Sequence, residues 1–163
     1  MLFRSSAFGQ QALYNNTTAS RNTAVGWYAG YNNTTGASIT AIGIGALSSN
    51  TTGSHNTAVG DAAMQSNTTA SDNTALGYQA GYGNTTGTWN TYLGYQTGFS
   101  NSVGNANTLI GLQAGYSLTG TANTFVGCRS DGYGSGFNVT SGSKNTILGG
   151  YSGNQGEIGR AHV

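Results

Sequence analysis

Glycines recur along this chain at a fixed spacing, and that period constrains its fold more than any other feature. They fall at Gly9, Gly26, Gly43, Gly60, Gly77, Gly94, Gly111, Gly127 and Gly149. The first six intervals are all 17 residues, the next is 16 and the last is 22. Most copies close a motif Asn-Thr-Ala-(apolar)-Gly, as in Asn22-Thr23-Ala24-Val25-Gly26, and the Asn column continues at Asn56, Asn73, Asn90 and Asn107. A period of 20 residues or so, sustained along the chain, is the mark of a repeat architecture whose units stack on their neighbours.

The columns of the repeat carry the local structure. Before each glycine stands an apolar residue, including Val25, Ile42, Val59, Leu76, Leu93 and Ile110. Two residues earlier stands Thr or Ser, including Thr23, Thr40, Thr57, Thr74 and Thr91. Side chains alternate along a strand, so these two columns share one face. That face is expected to point inward. The residue between them is Ala in the first five copies, then Tyr92, Leu109, Phe125 and Ile147. A small residue lies three after the glycine (Ala12, Ala29, Ala46, Ala63, Ala80, Thr97, Ala114, Ser130, Ser152), followed by Asn-Thr-Thr blocks beginning at Asn16, Asn33, Asn50, Asn67 and Asn84. Each copy thus offers two short extended stretches between Gly/Asn turns. Nothing shows a helical apolar period. The expected fold is all-β, a parallel β-solenoid or β-roll of about nine 17-residue coils in residues 1–156. With strands roughly 4.8 Å apart the rod would be about 40 Å long. Asn and Thr side chains would bond from coil to coil, as in stacked Asn ladders.

Such a core is thin. Burying the Ala/Tyr/Leu/Phe column, or the aromatics Tyr14, Tyr31, Tyr82, Phe99 and Tyr116, against other copies would complete it. Self-association, as a homotrimer, is the expectation. Composition agrees with a structure whose polar groups bond to one another. Charged residues are 6%, the formal charge is +1, and there are 28 glycines, 10 tyrosines and no proline. Disordered chains combine high net charge or many prolines with few aromatics. Five Lys+Arg form no basic stripe for nucleic acid. No apolar run reaches the ~20 residues that span a membrane. The single cysteine, Cys128, rules out an internal disulfide framework.

The Asn-Thr-Ala-Val-Gly coils resemble the head repeats of trimeric autotransporter adhesins, the YadA-like β-roll. The blocks Gly77-Tyr78-Gln79-Ala80-Gly81-Tyr82 and Asn84-Thr85-Thr86-Gly87 are more closely similar to repeat regions of phage tail fibres. The resemblance covers about residues 5 to 156. It implies a left-handed homotrimeric β-roll, a role in adhesion or as a fibre shaft, and an extracellular place on a virion or bacterial surface. The period is longer than the adhesin pattern's, and Thr stands where that pattern has Val.

The chain is not expected to be an enzyme or to hold a cofactor or metal. His55 and Asp72 share a column with Arg4, Arg21, Trp89 and Lys144, and a column of mixed charge is a solvent-facing ridge. Cys128 has no basic partner beyond Arg129 and reads as a tolerated thiol. Gly132-Tyr133-Gly134-Ser135-Gly136 lacks the Lys-Ser/Thr of a phosphate loop and reads as a turn or insertion. The Asn-x-Thr tripeptides fit stacked Asn/Thr turns better than glycosylation. Trp27, Tyr28, Tyr78, Trp89 and Tyr95 are candidates for stacking on host-surface glycans. The alternative is an ice-binding solenoid with Thr ladders, the Thr17-Thr18 type of block being the better face. Residues 157–163 abandon the repeat. They match the translation GAG ATC GGA AGA GCA CAC GTC of a sequencing adapter, and the natural protein would then continue past about Gly156.

Overall fold

The computed structural model describes residues 4–128 and 132–150. Among the described residues, nine three-residue strands lie in one parallel sheet in chain order: β1 (Ser6–Phe8), β2 (Thr23–Val25), β3 (Thr40–Ile42), β4 (Thr57–Val59), β5 (Thr74–Leu76), β6 (Thr91–Leu93), β7 (Thr108–Ile110), β8 (Thr124–Val126) and β9 (Thr146–Leu148). Each residue pairs with its counterpart one repeat on: Thr23 with Thr40, Ala24 with Ala41, Val25 with Ile42. The chain is therefore a β-solenoid with one strand per coil, all-β as expected. The predicted small column, as far as Ser130 and Ser152, the thiol's neighbour Arg129, and the 157–163 tail lie partly or wholly outside the described residues.

The closing glycine is required twice over. At Gly77 φ is +136°, a conformation closed to other residues, and a Cβ there would stand 2.4 Å from the Gly94 carbonyl oxygen of the next coil. The second extended stretch expected from the sequence is not a strand. After the glycine the chain advances through stacked turns, with left-handed residues such as Tyr28 (φ 58°), Gln79 (φ 52°) and Gln96 (φ 50°). Short turn bonds, Ala29 N–H to Gly26 O and Tyr31 N–H to Tyr28 O, alternate with bonds to the next coil, Gly30 N–H to Ala46 O and Asn32 N–H to Ser48 O. Stacking satisfies the turn backbone as a ladder would, so no second strand is needed.

Left-handed backbone costs a non-glycine residue about 1–2 kcal/mol, and Asn tolerates it best after glycine. The predicted charged ridge is such a column: Arg21, His55, Asp72, Trp89, Ala106, Ala122 and Lys144 all have φ between 55° and 61°. They are exposed. The His55 Nδ1 lies 3.5 Å from Asp72 Oδ1 across one coil step, an exposed pair that contributes little. Because Ala106 has no role beyond its backbone, Ala106→Asn is expected to stabilise the fold by about 0.5–1 kcal/mol. A thermal melt reading no increase would show that the stacked turns absorb the strain completely.

The interior reverses one expectation. Thr and the apolar residue before the glycine face outward: Val25, Ile42, Leu76 and Leu93 are 37–47% exposed. The Ala/Tyr/Leu/Phe column faces inward, and Ala24, Ala41, Ala58, Ala75, Tyr92, Leu109 and Phe125 are fully buried. The asparagines decide this. Asn22 is buried and sends its Nδ2 to Gly36 O, 2.9 Å away within the next coil. With the Asn side chain inside, strand alternation places residue 24 inside and residues 23 and 25 outside.

Large and small residues then exchange places across the interior. Leu47 and Met64 are buried in the coils where the strand column is Ala. Where that column becomes Tyr92, Leu109 and Phe125, the facing positions are Gly81, Gly98, Gly115 and Gly136. A Cβ on Gly98 would lie 2.4 Å from Tyr92, and one on Gly136 2.4 Å from Phe125. Gly30, opposite Ala24 and Ala41, leaves space taken by Leu13 and by Ile39, which stands where other coils carry Asn. Close packing demands this constancy of volume from coil to coil. In the last interval, five residues longer than the period, Cys128 and Gly134 form an isolated antiparallel bridge. Ser135 then takes the small buried position, and Phe137 rejoins the aromatic column by stacking on Tyr116 at 5.0 Å.

Among the described residues Tyr92 is the buried titratable group with a displaced equilibrium. Desolvation holds its hydroxyl far above the ordinary phenol range, against a smaller opposing influence of Asn101. The unfolded chain releases this proton near pH 10 and the folded chain does not. Above pH 10 the unfolded state thus binds fewer protons, and stability falls as pH rises, by up to about 1.4 kcal/mol per pH unit. Melting curves from pH 9 to 11.5 are expected to show this slope. Tyr92→Phe should remove it; an unchanged slope would mean that another group carries it.

Candidate functional site

Two inner asparagine ladders hold the coils together. In the first, Asn73, Asn90, Asn107 and Asn123 accept on Oδ1 from the next coil: Asn90 N–H to Asn73 at 2.8 Å, Asn107 N–H to Asn90 at 2.9 Å, Asn123 N–H to Asn107 at 2.9 Å. Asn56 does the same for Asn73 N–H, at 3.0 Å. Their Nδ2 groups donate to carbonyls of the next coil's turn, Asn90 to Gly104 O at 2.8 Å. In the second ladder Asn33, Asn50, Asn67 and Asn84 donate Nδ2 to the preceding Oδ1 at 2.7–3.2 Å and to a carbonyl three residues on. These four asparagines are fully buried, so the folded coils leave their amides inaccessible to glycan transfer. The ladder breaks at Asn101, whose Oδ1 turns to Gly104 N–H, leaving Asn101 Nδ2, Asn84 Oδ1 and the Tyr92 hydroxyl buried without a partner in good geometry.

The outward strand face is the candidate site. It carries the threonines Thr23, Thr40, Thr57, Thr74 and Thr91 beside the aliphatic row Val25, Ile42, Val59, Leu76, Leu93 and Ile110, repeated at each strand step. None of these side chains is needed to close the coil's own core. The Asn-Thr-Thr blocks are different: Thr34, Thr51, Thr68 and Thr85 each spend the hydroxyl on a carbonyl of the next coil, at 2.9–3.1 Å. In these four blocks only the second threonine, Thr35, Thr52, Thr69 or Thr86, is exposed.

The five aromatics singled out for recognition do not form one surface. Trp27 packs edge-on against Tyr28 (4.5 Å, 76°), and Tyr28 leans on Tyr31 (4.5 Å). Tyr78 and Tyr95 stack at 5.2 Å in the same column as Trp27 but farther along the rod. Trp89 stands on the ridge at the other side of the strand face, 66% exposed. The aromatic column Tyr82, Phe99, Tyr116 stacks at 4.9 and 5.0 Å with nearly parallel rings.

Among the described residues no group of three or more His, Cys, Asp or Glu could hold a metal, and no helix is long and apolar enough to cross a membrane. Cys128 is an exposed free thiol. The exchange of volume between the strand column and its facing column escaped the sequence reading. Its signal was present: Leu13, Leu47 and Met64 alternate with Gly30, Gly81, Gly98 and Gly115 at a fixed offset from the closing glycine. Compared with protein-family models, with curated proteins and with solved structures, the chain matches none.

Proposed function

We propose that this chain is a structural and adhesive segment of an extracellular fibre, of the phage tail-fibre or bacterial surface-adhesin kind, assembled as a homotrimer. One observation carries the reading. A Thr/aliphatic face runs along β2 to β9, with Ser6 and Phe8 in the same places on β1, and the solenoid does not use it. Exposed apolar surface of this extent marks an interaction site. A second copy meets it with the same strand spacing, so matching rows can interdigitate along the whole rod. With 6% charged residues, little repulsion opposes that approach. The role is non-catalytic and needs no cofactor, and host-surface glycans are the external ligands it would take. Light scattering is expected to give 49.8 kDa, three chains of 16.6 kDa. Leu76→Lys with Leu93→Lys should return the monomer. A folded wild-type monomer would overturn the assembly.

A second reading draws on the same face. Thr and an aliphatic residue stand side by side outward on a regular strand lattice, so the strand threonines, rather than the Thr-Thr blocks whose first hydroxyls bond the next coil, form the Thr ladder of this reading. It predicts a monomer with thermal hysteresis in a freezing assay, lost in Thr57→Lys. Absence of hysteresis removes it.

A further inference from the structure

We propose that a cleft at the third and fourth coils is a binding subsite for a neutral pyranose ring of a glycan. The inference rests on the adhesive reading above and places it at particular residues. Farther along the rod two surface columns are continuous. Gln79, Gln96 and Gln113 pass hydrogen bonds from Nε2 to Oε1 at 2.8 and 2.9 Å, and the aromatic column stacks beside them. Both columns fail together at one place: the glutamine column carries Tyr28, Gly45 and Ala62 between Gln11 and Gln79, and beside Gly45 and Ala62 the aromatic column carries Ser48 and Gln65. The missing side chains leave a cleft of about 230 Å³, with Trp27 and Tyr28 at one end and Ser48, Asp61 and Gln65 among its lining.

The chemistry of the lining selects the ligand. Trp27 is half exposed and held edge-on by Tyr28, itself packed on Tyr31, so the aromatic wall is braced. An electron-rich ring face attracts the weakly positive C–H groups on the apolar face of a sugar. Asp61 is exposed and forms no ion pair among the described residues, and a carboxylate accepts strong hydrogen bonds from hydroxyls. The Gln65 amide both donates and accepts, and Ser48 adds a hydroxyl. A purely apolar ligand would strip water from Asp61 without replacing it, and a lone carboxylate is too few ligands for a metal ion. A sugar ring offers an apolar face and a hydroxylated edge at once. One ring in so open a site binds at roughly millimolar Kd, and several copies in a fibre would raise the avidity.

The chain has two tryptophans, so Trp89→Phe leaves Trp27 as the only indole reporter. The full-length variant is titrated with the methyl glycosides of glucose, galactose, mannose, N-acetylglucosamine and N-acetylgalactosamine, following indole fluorescence. A saturable change with at least one glycoside is expected. Adding Ala62→Gln, which extends the chain's own glutamine column into the cleft at a backbone conformation that Gln79 already adopts, should abolish it. Asp61→Ala, on the exposed rim, should weaken it at least tenfold. No saturable change with any of the five, or an equal change after both substitutions, overturns the proposal. Light scattering on the same samples separates the two readings: a trimer that binds no sugar overturns the subsite alone, and a sugar-binding monomer supports the subsite while overturning the trimer.

Discussion

Asn90→Ala is expected to destabilise the solenoid by about 4 kcal/mol, the sum of two buried backbone groups deprived of partners at roughly 1–3 kcal/mol each. The groups are the Asn107 N–H, which donates to Asn90 Oδ1 at 2.9 Å, and the Gly104 carbonyl, which accepts from Asn90 Nδ2 at 2.8 Å. Asn107 Nδ2 also loses a bond to Asn90 Oδ1 but keeps Gly120 O. The adjoining Thr91→Ala removes an outward side chain and should cost less than about 1 kcal/mol. Denaturant melts of the two variants make the comparison, and equal losses would mean that the inner ladder is not what binds coil to coil. The chain makes a related change once, at Ile39, where no side-chain acceptor faces the Asn56 N–H. There the empty position at Gly30 lets Ile39 bury its whole side chain, so apolar packing offsets the lost bond. Asn90 has no such space, because Tyr92 already fills the interior beside Gly98.

Gly98→Leu should be at least as damaging. The position has φ +60°, and its first side-chain carbon would stand 2.4 and 2.5 Å from two ring carbons of Tyr92 and 3.1 Å from Leu109. Overpacking costs about 1–3 kcal/mol and a left-handed Leu about 1–2 more, so a loss near 4 kcal/mol is expected. Tyr92→Ala alone leaves a cavity and costs about 3–5 kcal/mol by analogy with other buried aromatics. The double variant sets a large side chain opposite an alanine, as Leu47 and Met64 are set, with Leu109 still beside it. It should therefore be more stable than the sum of the single losses by about 2 kcal/mol or more. Additive losses in a double-mutant cycle would show that the two columns do not share one packed volume.

These positions also mark how far the sequence could be read. The closing glycines set the repeat and its register, and residue-by-residue pairing of Thr23 with Thr40 and Ala24 with Ala41 follows from the 17-residue period alone. The solvent ridge at His55 and Asp72 was legible because a column that accepts either charge must face water. The two faces of the strand were read the wrong way round. Taken as a hydrophobic pattern, Val25 and Leu76 are the obvious core and Ala24 a filler. The period-2 alternation states only that Val25 and Ala24 face opposite sides, and either choice satisfies it.

The candidate cleft was half visible. Trp27 and Tyr28 stood out in the sequence as candidates for recognition, and Ser48 and Gln65 fall where the aromatic column is broken, but nothing in the linear order joined them. They meet because stacking brings residues 17 apart side by side and because Gly45 and Ala62 fail in the neighbouring column at the same coils.

By itself the sequence determined the period, the parallel order of the strands, the glycine corners and the residues that ladder, since each repeats a local requirement of the backbone. Only the tertiary structure decided which strand face is interior, how bulk is shared between Tyr92 and Gly98, and that Phe137 is the residue of the last interval that meets Tyr116. Those outcomes depend on a buried amide finding carbonyls across the coil and on a fixed volume being filled, and both are properties of residues brought together in space.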